Sequence, residues 1–242
     1  MRKKCLLLVV MMMLCWFTAG AQSSLKAGDL IDSDVVQHGD VKAYFSVSAI
    51  DDSTLKRMQK GGSYPKGCIV DVSELRYVRV LHYNYDGKVQ VGELVCNRRI
   101  ADDLMAIFRE LFDARYQIER MMLIDEYGAD DETSMQANNT SAFCYRKVKG
   151  SSKLSAHARG LAVDVNPLHN PCFKVGQGGS ITRLQPNTKE ARRYADRTKH
   201  LAHMIDKSDL CYKAFIKRGF RWGGAWKTKK DYQHFEKTIT NK

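Results

Sequence analysis

The chain has 242 residues, 44% of them hydrophobic, and a formal charge of +12. That length fits one large domain or two small ones, and that apolar share is normal for a globular protein with a real core. No internal repeat and no low-complexity block is present, which excludes a solenoid or array. The basic residues form no block of the kind that marks a nucleic-acid-binding arm, so the charge reads as spread over solvated faces.

The N-terminus differs from everything after it. "MRKK" is a positive start, "CLLLVVMMMLCWF" an apolar run, and "TAGAQ" places the small residues Ala19 and Ala21 before a cleavage point. This is the pattern of a signal peptide over residues 1–21, cleaved after Ala21. The run is short for a bilayer span, which disfavours a retained anchor. Leu14 before Cys15 disfavours a lipoprotein. Removing Arg2, Lys3 and Lys4 leaves a mature charge of about +9. A basic, exported protein, periplasmic or secreted, has the anionic cell wall or anionic lipid as partners rather than nucleic acid, and no stable membrane span once the signal is cut. Five cysteines remain: Cys68, Cys96, Cys144, Cys172 and Cys211. An odd number requires a free thiol or an intermolecular bond, and the absence of a CxxC pair argues against a cysteine zinc knuckle.

Residues 22–66 have weak patterning, with a strand predicted in "KAYFSVSAI" and a turn at "GGSYPKG"; they read as an N-terminal extension on a main domain of residues 67–242. "ELRYVRVLHYNY" and "VQVGELVCN" alternate on either side of Asp86-Gly87, a strong hairpin signal. Ile100 to Tyr116 has apolar residues at helical spacing. "IERMMLIDEY" follows as a strand, "GADDETSMQANNTS" as a long polar loop of the kind that borders sites, and "AFCYRKV" as a short strand before the turn "KGSSK". "AVDVNP" suits a strand. Thr188 to Ile205 reads as one helix and "SDLCYKAFIKR" as another, stopped by Gly219. "FRWGGAW" and "DYQHFEK" are short strands around a loop. Strands and helices do not alternate as βαβ units, so the expected class is α+β: a small antiparallel sheet with helices packed on it.

Chemistry concentrates in "SAHARGLAVDVNP", residues 155–167. A catalytic zinc site needs three protein ligands, an open position and a nearby base. His157 and Asp164 can be two of the ligands, with Gly160 allowing a tight backbone turn between them. A carboxylate flanked by Val163 and Val165 is costly to bury without a cation or donors. "DYQHFE" offers His234 as the third. On a strand, His234 and Glu236 share a face while Phe235 goes to the core. Asp231 cannot share that face by periodicity; it belongs in the turn leading into the strand, a position for a base rather than a fourth ligand. Glu236 is placed to support a ligand histidine.

"SAHARGLAVD" matches SxHxxGxAxD, and "GFRWGGAW" followed by "DYQHFE" looks like the second signature of the same group. The chain thereby resembles the zinc D-Ala-D-Ala carboxypeptidase and L-alanyl-D-glutamate peptidase family over roughly residues 70–238. The resemblance implies that His157, Asp164 and His234 bind one zinc ion, on the sheet. It implies that Asp231 is the general base, that Arg146 in "NTSAFCYR" steadies the substrate carbonyl or oxyanion, and that Ser155 supports the site or contacts substrate. Many relatives carry an acidic residue where this chain has Ala225, which bears on substrate preference. The implied function is an exported zinc metallopeptidase that cuts peptidoglycan stem peptides, D-Ala-D-Ala carboxypeptidase-like, by metal-activated water. The alternatives are an L-alanyl-D-glutamate endopeptidase and a non-catalytic zinc-containing wall-binding domain. Asp231 and Arg146 argue against the last, since a structural zinc site needs neither and wants a fourth ligand. No GxSxG elbow is present for an acyl-enzyme route.

Other aromatic and imidazole groups have plainer readings. His200 and His203, three apart on the expected helix, are read as structural. His169 in "NPLHNP" is a candidate groove residue. Trp222 and Trp226 suit groove walls and core equally.

Overall fold

The protein is described by a computed structural model covering residues 25–148 and 151–239; the proposed signal peptide lies outside these residues. Chain order begins with α1 (Ser33–His38), β1 (Ser46–Ala49) and α2 (Asp52–Gly61). The expected strand in "KAYFSVSAI" is therefore only its second half, because Asp40 caps a 3-10 turn over Val41–Tyr44. α2 has no sequence forecast behind it. Asp51 accepts the Thr54 N–H at its start, Gly62 ends it at φ 103°, and Met58 is fully buried on its inner face. With so few apolar positions its periodicity is faint, and its caps define it.

The hairpin forms as its alternation predicts. β2 (Leu75–Tyr83) and β3 (Val89–Asn97) pair antiparallel from Leu75↔Asn97 to Tyr83↔Val89, with Gly87 in the turn at φ 73°. β1 adds to the outer edge of β2, giving the order β1-β2-β3. α3 (Ala101–Asp113) crosses this sheet and buries Leu104, Ile107, Phe108 and Leu111 against Val78, Val80 and Leu94. This is the core on which the rest is assembled.

The middle of the chain departs from its forecast. "IERMMLIDEY" contains only the two-residue β4 (Arg120–Met121), then a 3-10 turn at Ile124–Tyr127 closed by Gly128. Its apolar run is continuous rather than alternating, and such a run identifies burial without identifying strand. The polar loop contains α4 (Asp131–Gln136), capped by Asp130, and β5 (Asn139–Thr140), which pairs parallel with β4. A helix of six residues without an apolar stripe leaves no periodic signal. "AFCYRKV" forms no strand; it is held by Phe143 N–H donating to Val95 O and by a single bridge from Lys147 to Leu154.

Next come β6 (Ala162–Asp164), β7 (Cys172–Val175), β8 (Ile181–Gln185) and α5 (Lys189–Ala195). The helix expected over Thr188–Ile205 stops at Ala195. Asp196 binds the Thr198 N–H and hydroxyl and starts a separate 3-10 turn, and His200 and His203 sit in turns at φ 46° and 64°. An aspartate that offers the backbone an alternative partner ends a helix readily. α6 (Leu210–Lys217) is capped by Asp209 and stopped at Gly219, φ 78°, as expected. β9 (Arg221–Trp222), β10 (Lys229–Asp231) and β11 (His234–Glu236) close the chain.

These strands make two more three-stranded antiparallel sheets, in the orders β6-β11-β9 and β10-β7-β8. The class is α+β, as the sequence implied. Phe235 of β11 is fully buried, stacked on Phe215 of α6 at 4.2 Å, and Phe215 meets Phe108 of α3 edge-on at 6.3 Å. Each such ring contributes about 1.5–3 kcal/mol by burial alone. The three rings fasten β6-β11-β9 to the core.

The buried carboxylate of Glu93 on β3 accepts two bonds from the Arg57 guanidinium, at 3.0 and 2.6 Å, and one from the Tyr77 hydroxyl at 2.7 Å. Arg57→Ala leaves that carboxylate short of donors. The expected loss is about 2–3 kcal/mol, kept moderate because Arg57 is itself part exposed, and urea unfolding measures it.

Candidate metal centre

His157 opens a 3-10 turn over His157–Arg159. Ser155 caps that turn, its Oγ accepting the Ala158 N–H at 3.0 Å. Gly160 ends it at φ 67°, and a Cβ there would stand 2.6 Å from the Asn97 backbone nitrogen. The Asn97 N–H donates to the Gly160 carbonyl at 2.8 Å. Only glycine supplies both the left-handed backbone and this close approach to β3. The motif turn is thus fixed to the hairpin, and His157 with it. The His157 Nδ1–H donates to the Ala142 carbonyl at 2.6 Å, which leaves Nε2 to face inward.

β6 and β11 pair with His234 opposite Asp164, Phe235 opposite Val163 and Glu236 opposite Ala162. Val163 and Phe235 go to the core at 0% exposure. Alternation then puts Asp164 and His234 together on the other face. Asp164 Oδ1 lies 2.9 Å from His234 Nδ1 and Oδ2 lies 3.3 Å from His157 Nε2. The two facing imidazole nitrogens are 3.2 Å apart. One ligand atom from each of the three residues lies within 4.8 Å of the others, and this is the one such group among the described residues. His234 Nε2 faces Glu236 Oε2 at 3.4 Å, and Arg221 holds Glu236 at 2.7 Å. Each imidazole turns one nitrogen to a supporting acceptor and the other to the centre.

The donor set fits a divalent transition metal. Burial opposes the Asp164 charge, but His157 and His234 hold its pKa well below the usual carboxylate range. Burial also opposes a charged His234, yet its hydrogen bonds to the Asp164 and Glu236 carboxylates raise its pKa to about 10. Three donor groups converge so closely that some positive charge is needed between them. Two imidazole nitrogens and a carboxylate are the ligand types of first-row divalent metals.

Asp231 closes β10, one turn before β11, rather than lying within the turn itself. It is buried, with Oδ2 2.9 Å from Lys229 Nζ and Oδ1 accepting from Gln233 Nε2 at 3.3 Å, and its charge helps raise the pKa of His234. Gly223, in the "WGG" of the second motif, makes this proximity possible. A Cβ on it would stand 2.8 Å from Asp231 Cβ and 3.2 Å from His234 Cβ.

Residues 149–237 match the family model described as D-alanyl-D-alanine carboxypeptidase. That segment is similar to this peptidase family. The match takes in both motifs, hence His157, Asp164, His234 and Asp231, and spans less than half of the 242 residues. Comparison with curated proteins and with solved structures found no match.

Arg146 lies just before the matched segment. Its Nε is 2.6 Å from Asp131 Oδ2, and Asp131 lies close enough to His157 and Asp164 for their charges to act on it. Burial raises the Asp131 pKa, and Arg146 counters that. Ser155 Oγ accepts from the turn under His157. Trp226 stands beside His234 at 5.3 Å, whereas Trp222 packs in the core with Nε1–H donating to the Tyr232 carbonyl. His169 and His203 both stack on Tyr85, away from the metal group, and His169 Nδ1 meets the Tyr85 hydroxyl at 2.8 Å. All five described cysteines are free thiols.

Four neighbours of the centre went unnoticed in the sequence: Asp131, Gly223, Lys229 and Gln233. Asp131 had only a regional signal, as one of several acidic residues in a polar loop of the kind that borders sites. Lys229 had one, because alternate residues on a strand share a face and Lys229 precedes Asp231 by two. Gly223→Ala pushes Asp231 and His234 apart. It is expected to cost about 1–3 kcal/mol of stability by overpacking and to weaken binding of one divalent ion, measured by denaturant unfolding and calorimetric metal titration.

Proposed function

We propose that this chain is a zinc metallopeptidase that acts on peptidoglycan stem peptides, removing the terminal residue of D-Ala-D-Ala. The observation that carries this reading is the convergence of His157, Asp164 and His234, with Asp231 beside them, inside the segment that matches the carboxypeptidase family. Zinc, when bound, supplies Lewis-acid activation of water and of the scissile carbonyl. His157, Asp164 and His234 are its ligands. Asp231 takes a proton from the attacking water and passes it to the leaving amine. Arg146, held by Asp131, faces the negative charge that grows on the carbonyl oxygen. Residues 1–21 direct export, and among the described residues no helix is long and apolar enough to cross a membrane.

The test is digestion of purified muropeptides by zinc-loaded protein, with products read by mass. Loss of a terminal D-Ala is expected. A fragment beginning at D-Glu would make the enzyme an endopeptidase, and no product despite bound zinc would make it a wall-binding module. Chelation should abolish turnover and zinc should restore it. Asp231→Asn should keep one zinc per chain and lower kcat by about 10²–10⁴. Arg146→Ala should lower kcat by about 10²–10³.

A further inference from the structure

Lys229 and Lys174 face each other directly across β10 and β7. Cross-strand partners project from the same face, and like charges there repel. Asp231, also on this face, offsets Lys229 at 2.9 Å. Lys174 is exposed and has no carboxylate partner among the described residues. Asp231 thus offsets one of the two ammonium groups and leaves the other uncompensated. Burial works against the Lys229 charge, but Asp231 outweighs it and pushes the pKa up. The Lys229 side chain is 42% exposed and lies 5.5 Å from the Trp226 ring, which in turn flanks His234. An ammonium has three donors, and Asp231 takes one of them. The Lys229 ammonium and the His234 ring thus flank the same Trp226 ring, with the Cys172 thiol as a further neighbour of the ammonium.

Substrate chemistry says what belongs there. In a peptide cut at its last bond, the leaving nitrogen and the terminal carboxylate hang on the same carbon. The group that protonates that nitrogen and the cation that holds that carboxylate must therefore be neighbours. An internal bond puts no such charge beside its leaving nitrogen.

We propose that Lys229, reinforced by Lys174 across the strand pair, binds the free C-terminal carboxylate of the substrate and so restricts this centre to the terminal bond. The proposal rests on the peptidase reading above and supplies its specificity. Lys229 contacts the substrate, while Lys174 acts through the field at the same point.

The experiment compares D-Ala-D-Ala-terminated peptides with a free acid and with an amidated C-terminus, on the zinc-loaded full chain. The acid is expected to be preferred by about tenfold or more in kcat/KM. Lys229→Met should abolish the preference for the acid over the amide in kcat/KM; Lys229→Arg should retain most of the preference. Lys174→Met should act in the same direction, more weakly. Equal cleavage of acid and amide by the wild type overturns the proposal and leaves the peptidase reading intact. A Lys229→Met variant that keeps the wild-type ratio of acid to amide cleavage also overturns it, since Lys229 would then merely hold Asp231. If neither peptide is cut, the peptidase reading falls, and calorimetric binding of both peptides decides the proposal by itself. Tighter binding of the acid, lost in Lys229→Met, sustains it; equal binding overturns it.

Discussion

The register of β6 against β11 is the constraint on which the centre depends. Placing His234 opposite Asp164 brings together side chains seventy positions apart in the chain and sets both on the face away from the core. A slip by one residue would send the imidazole into the core and Phe235 toward solvent. The slip is prevented from the apolar side. Val163 and Phe235 are fully buried, and Phe235 lies in a row of rings that runs through Phe215 to Phe108 of α3. The hydrophobic contacts behind the sheet thereby decide where its polar atoms meet.

Two glycines carry that constraint to the neighbouring elements. Gly160 lets the His157 turn touch β3, and Gly223 lets the tail of the chain press on Asp231 and His234. At both places the close approach is between backbone and a functional side chain or its supporting strand, so a methyl group displaces the site itself. The centre is built where three sheets meet, and its geometry is only as exact as these contacts.

Charge at the centre is balanced in pairs. Asp164 is shared by two imidazoles, Asp131 holds Arg146, Glu236 joins His234 to Arg221, and Asp231 holds Lys229. Each buried ion has a partner within hydrogen-bonding reach or close to it, which is the condition for keeping charge out of water. Arg146 and Lys229 are each held by one carboxylate, Asp131 and Asp231 respectively.

The sequence by itself determined the pieces whose signals are local. The alternation around Asp86-Gly87, the apolar period of residues 100–111, the Gly219 stop and the two motifs with His157, Asp164 and His234 could all be read from spacing and residue type. It even placed Glu236 behind His234, because strand periodicity needs no partner strand to be known. It misjudged the segments at 118–136 and 188–205, where short capped turns and a polar helix leave no period to read. Only the tertiary structure decided that Asp131 stands behind Arg146, that Gly223 presses on Asp231, and that Lys174 faces Lys229. Those relations are set by cross-strand register and close packing between distant segments, and no window of sequence contains both partners.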